Sequence, residues 1–60
     1  MSYRLKESII SALKRSKAGL DLEQVVISVN ASRSAAIGTL KEMQEARLIR
    51  YSHERYSLSQ

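Results

Sequence analysis

Sixty residues hold one small domain, and with no Cys the chain has neither disulfides nor thiolate metal sites to staple it. Ten Lys and Arg against six Asp and Glu leave a net charge of +4, which suits a polyanion partner. No apolar run approaches the ~18 residues of a membrane span, and Met1–Glu7 lacks the apolar core of a secretion signal, so a cytoplasmic protein with no membrane partner is expected.

The first helix is expected over about 3–18, capped by Ser2. Leu5, Ile9, Ala12, Leu13 and Ser16 recur at helical spacing and form its inner stripe. Lys14, Arg15 and Lys17 favour the negative end of its dipole, and Gly19 suits the position just past its end.

The second helix is expected over about 22–29. Asp21 and Gln24 have the spacing of a capping box, and Leu20 and Val25 that of a hydrophobic staple. Val25-Val26-Ile27-Ser28-Val29 also reads as a short buried strand, since β-branched residues favour strands; the caps decide for helix, with Leu22, Val25, Val26 and Val29 inward. Asn30 tolerates the left-handed conformation that ends a helix.

The third helix is expected over about 33–46, capped by Ser32, with Ala36, Leu40 and Met43 inward. So short a connection after Asn30 makes the two helices cross steeply. In the segment of about 48–59, a turn centred on His53-Glu54 sets Tyr51 opposite Tyr56 and Ile49 opposite Leu58, with all four on one face. Both tyrosines are then expected inward. His53-Glu54 lacks the Gly or Asn that two-residue loops prefer, so a four-residue loop, Ser52 to Arg55, stays open as an alternative.

Charge is placed unevenly along these elements. Residues 1–20 carry a net +4, residues 21–46 a net −2 and residues 47–60 a net +2.

From Leu20 to Leu58 the chain resembles the winged helix-turn-helix transcription regulators. Asp21-Leu22-Glu23-Gln24-Val25-Val26 looks like the opening of the family's second helix. Val29-Asn30-Ala31-Ser32 resembles its apolar-glycine-apolar-serine turn, with Asn30 in the glycine place. Ala36, Leu40 and Met43 hold the apolar places of its recognition helix, and Arg47-Leu48-Ile49 looks like the Gly-Leu-Ile that leads into the wing. Tyr56-Ser57-Leu58 is similar to its second wing strand. Arg47 replaces the usual Gly, so a different helix end is expected, and Val26 replaces a common Ala. In size and layout the chain is similar to the small single-domain regulators of phages, plasmids and fimbrial operons. The resemblance implies an α+β, mostly α fold: a three-helix winged helix-turn-helix with a C-terminal two-stranded β-hairpin wing.

The function it implies is sequence-specific double-stranded DNA binding, with the third helix in the major groove and the wing on the backbone. The side of that helix away from Ala36, Leu40 and Met43 holds Ser34, Gly38, Lys41 and Glu45, flanked by Arg33 and Ile37; Glu42 and Glu45 sit poorly beside phosphates and are expected toward the helix end that leaves the groove. Arg33 is the first candidate for a base contact, because its fork matches guanine O6 and N7; an ordinary solvated Arg is the alternative. Ser34 suits a base or a phosphate, Lys41 a phosphate, and Ser32 a cap whose neighbouring N–H groups also suit a phosphate. Gly38 either lets DNA or a partner helix come close or packs tightly against helix two. Arg50 and Arg55 suit phosphates or the minor groove, or simply form a solvated strand face.

Ile10 and Ile27 fit no inner stripe. A homodimer through helix one, at Tyr3 and Ile10, and a protein partner at Ile27 are the expectations they carry. A protein-interaction adaptor or anti-repressor is the competing reading, favoured by the acidic middle of the chain and by Ile27. Single-stranded or RNA binding ranks third, for want of a surface aromatic pair at stacking spacing. No cofactor or metal is expected, since a lone His makes no metal site. No enzymatic activity is expected either, with no Cys nucleophile and only two Gly.

Overall fold

A computed structural model describes residues 3–59. Three helices, α1 (Tyr3–Arg15), α2 (Leu22–Val29) and α3 (Arg33–Glu45), precede an antiparallel hairpin of β1 (Ile49–Ser52) and β2 (Arg55–Leu58). The layout is the α+β, mostly helical one expected. The Ser2 cap and the Tyr3 side chain lie outside the described residues.

The local rules account for α2 and α3. The Gln24 N–H donates to Asp21 Oδ1 at 2.8 Å, and the Asp21 N–H donates to Gln24 Oε1 at 3.2 Å, completing the capping box. The helical reading of Val25–Val29 therefore prevails over the strand reading. Asn30 ends α2 in the left-handed conformation, φ 53 and ψ 49. Ser32 accepts from the Ala35 N–H at 3.2 Å and starts α3. The two helices are thus joined by a three-residue turn whose ends are both satisfied by the chain's own side chain and backbone.

At its far end α3 closes as it would with Gly. Leu48 N–H donates to Met43 O at 2.9 Å and Arg47 N–H to Gln44 O at 3.0 Å, with Arg47 at φ 64. This is the Schellman arrangement. Arg47 does not change the helix end; it occupies a left-handed position that suits Gly better.

The hairpin has the expected register: Ile49↔Leu58, Arg50↔Ser57, Tyr51↔Tyr56 and Ser52↔Arg55. His53 and Glu54 both take positive φ, 54 and 63. That is the two-residue loop geometry, and it excludes the four-residue alternative.

Helix one ends three residues earlier than expected, at Arg15 rather than Ala18. Ser16 N–H bonds back to Leu13 O at 3.2 Å, and its hydroxyl donates to Gly19 O at 3.2 Å. Residues 16–19 form a turn that carries the chain to the hairpin. There Leu20 and Tyr56 exchange backbone bonds of 2.9 and 2.7 Å, a third row on the sheet that the sequence patterns did not announce. Gly19 is therefore more than a helix terminator. It is buried at φ 90, where a Cβ would lie 2.9 Å from Tyr56 O, so the chain passes β2 only because no side chain intervenes.

The core is Ile9, Leu13, Val25, Leu40, Met43 and Ile49, with Ala12 and Ala36 also buried. Full burial of each large side chain stabilises the fold by about 1.5–3 kcal/mol. Three expectations need correction. Val25 is the sole fully buried residue of α2; Leu22, Val26 and Val29 are half-buried because this short helix lies at the edge of the core. Ile10 is not free on the surface but packs, half-buried, against the core cluster. Tyr51 is 50% exposed, because the hairpin extends past the core and its ring covers Tyr56 rather than the helices. No helix of the described residues is long and apolar enough to cross a membrane.

Candidate nucleic-acid interface

The short turn between α2 and α3 decides which side of α3 faces out. With Ala36, Leu40 and Met43 buried, the exposed side carries Arg33, Ser34, Ile37, Gly38 and Lys41, with Ser32 exposed at the cap. A Cβ built on Gly38 meets nothing within 4 Å. Tight packing against α2 is thereby excluded as the reason for a mid-helix Gly. Ile37 beside it is 44% exposed, so the middle of this face is shallow and partly apolar.

Arg33 is not a free cation. Its guanidinium forms an ion pair with Glu23 of α2, both side chains being more than half exposed. An exposed pair of this kind stabilises by about 0–1 kcal/mol, so a phosphate or a guanine edge competes for the guanidinium at little cost. Glu42 and Glu45 are exposed on the last turns of α3. Positive charge on this face is therefore confined to Arg33 and Lys41.

The structure does not bring Arg50 and Arg55 together with that face. Register and alternation put Arg50, Ser52, Arg55 and Ser57 on the side of the hairpin opposite Ile49. That side lies against the turn after α1: Arg55 Cβ and Ser57 Cβ are 3.3 and 3.6 Å from a Cβ built on Gly19. Arg50 lines a cleft with Lys14 and Lys17. The sequence accounts for the two lysines as helix-dipole partners and as part of the basic first third of the chain. Nothing local marks them as neighbours of Arg50, because that depends on α1 stopping at Arg15 and the chain turning back to β2.

The remaining polar groups are simpler. His53 is exposed at the hairpin tip with Nδ1 3.0 Å from Ser52 Oγ. The described residues contain no group of three or more His, Asp or Glu that could hold a metal ion. Tyr51 and Tyr56 stack with ring centroids 4.7 Å apart at 47°, a tilted pair rather than a platform for flat bases. Burial, reinforced by the neighbouring Tyr51, pushes the Tyr56 hydroxyl above its ordinary pKa. Ile27 is 77% exposed on α2, the most exposed large apolar side chain of the described residues.

Compared with known proteins, the chain matches no family model, no curated protein and no solved structure.

Proposed function

We propose that this protein is a sequence-specific double-stranded DNA-binding regulator of transcription, acting in the cytoplasm and reading the major groove with α3. The observation that supports it best is the outward face of α3 itself. It follows a tight, capped turn from α2, and nothing in the fold covers Gly38. In this reading Arg33 exchanges Glu23 for a base edge, Ser34 and Ser32 approach the backbone, and Lys41 meets a phosphate. Gly38 and Ile37 form the close-contact strip against the groove wall or a thymine methyl. One module of this size binds modestly, so two copies act together on paired half-sites.

The test is selection from random duplex DNA followed by sequencing, at two salt concentrations. Recovery of one motif, as a palindrome or a direct repeat, is the expected result. Salt-labile retention without any motif would refute sequence reading. A second reading, a protein-interaction adaptor, is favoured by the exposure of Ile27 and by the acidic groups of α2 and α3. Arg33→Ala separates the two, since a DNA reader loses base preference and an adaptor is untouched.

A further inference from the structure

A cleft of about 450 Å³ opens between the end of α1 and the outer side of the hairpin. Leu13 and Leu58 supply its apolar wall, and Lys14, Lys17, Arg50 and Ser57 its polar rim. Among the described residues no carboxylate lines it. The helix dipole explains basic residues at the end of α1, but it does not explain Arg50, which comes from another element and is held on this side by its pairing with Ser57. Among the described residues the one ion pair is Arg33–Glu23, so no described carboxylate occupies the donors of these three cations. Three like charges around one open space repel one another, and that repulsion is relieved when an anion enters.

The chemistry narrows the anion. Two ammonium groups and a guanidinium present many donors in differing directions, and a hydroxyl adds one more. A tetrahedral phosphate accepts from several sides at once, whereas a planar carboxylate matches the guanidinium alone. The opening is wide, which suits a phosphate carried on a chain better than a small molecule that must be enclosed.

We propose that this cleft is a phosphate-binding site whose ligand is the phosphodiester backbone of nucleic acid, gripped at a place separate from the outward face of α3. The identity of the ligand rests on the DNA-binding reading; the affinity for phosphate does not. Base reading by α3 and backbone holding by the cleft are then divided between two surfaces of one small domain. This division explains why the face with the best helix geometry carries few free cations.

Two arms test it with the full chain. In the first, inorganic pyrophosphate is titrated against the protein and backbone amide signals are followed by NMR. Saturable shifts concentrated at Lys14–Lys17, Arg50 and Ser57 are expected. They should vanish in the triple variant Lys14→Gln, Lys17→Gln, Arg50→Gln and persist in Lys14→Arg, Lys17→Arg, Arg50→Lys, with circular dichroism showing both variants folded. Shifts of equal size at Arg33, Lys41 and Arg47 would overturn the site as mere general ion pairing.

In the second arm, affinity for duplex DNA is measured against salt. Each lost phosphate contact lowers the slope by about 0.9, so the Gln triple variant should lose about 2–3 units of slope and keep its base preference. An unchanged slope overturns the assignment to nucleic acid. If the wild-type chain ignores duplex DNA while pyrophosphate still binds in the cleft, the DNA reading fails and the phosphate site stands. If DNA is read but pyrophosphate shifts nothing in the cleft, the site fails and the reading stands.

Discussion

Gly38→Ala is the substitution whose two effects should point in opposite directions. Gly38 lies inside α3, its φ is not positive, and a Cβ there touches no heavy atom within 4 Å. The added methyl meets no clash and removes the entropy that glycine loses on becoming helical. The gain is about 1 kcal/mol, roughly a fivefold shift toward the folded state. In a domain of this size about 1 kcal/mol raises the melting temperature by roughly 4–8 °C. Urea unfolding followed by helical circular dichroism, backed by a thermal scan, reads this directly. On the proposed DNA-binding reading, the same methyl enters the open space that would face the groove wall. Overpacking of about 1–3 kcal/mol would weaken DNA binding roughly 5- to 150-fold. A fall in stability would refute the open environment of Gly38. A gain in stability with DNA affinity unchanged would refute the close approach.

Four further outcomes follow from the same geometry. Gly19→Ala should destabilise by about 1–3 kcal/mol in urea unfolding, because the site has φ 90 and its Cβ would lie 2.9 Å from Tyr56 O; a neutral result would mean that the Gly19 turn relaxes freely. Arg47→Gly should stabilise by about 1 kcal/mol, since the left-handed position at the end of α3 penalises any side chain, and a fall in the urea midpoint would show that the Arg side chain supports the helix end. Asp21→Ala should cost about 1 kcal/mol by removing the α2 cap, with Asp21→Asn recovering most of it. Tyr56 holds its proton more tightly folded than unfolded, so its contribution to stability is complete below its ordinary pKa of 10.0 and is lost as pH rises through the higher folded value. The unfolding free energy measured from pH 8 upward should therefore fall less steeply in Tyr56→Phe than in the wild type.

What could be read from the sequence was what depends on residues a few places apart. The Asp21–Gln24 box, the Ser32 cap and the Asn30 turn are each complete within a stretch of four residues, and all three form. The hairpin register was legible because two cross-strand pairs demanded the same alignment. The end of α1 was not, because Ser16, Lys17 and Ala18 are acceptable in a helix, and only the need to bring Gly19 and Leu20 against β2 unwinds them. The same distant contact hides the cleft, since Lys14 and Arg50 meet only after that turn is made. Tyr51 shows the complementary limit: alternation specifies which side a residue faces, but not whether anything stands there to cover it.

The paired bonds between Leu20 and Tyr56 also bear on how the chain assembles. They fasten the end of the α1–α2 turn to the last strand, so α2, α3 and β1 lie within one closed loop. A long loop is costly to close before its contents are compact, whereas helices form locally and fast. The clasp therefore shuts late, after α2 and α3 have brought the two ends near each other. A lone two-stranded hairpin is marginal in water. The hairpin is thus a product of the helical unit rather than its scaffold, and with the clasp loosened Ile49 in the core still ties β1 to the helices.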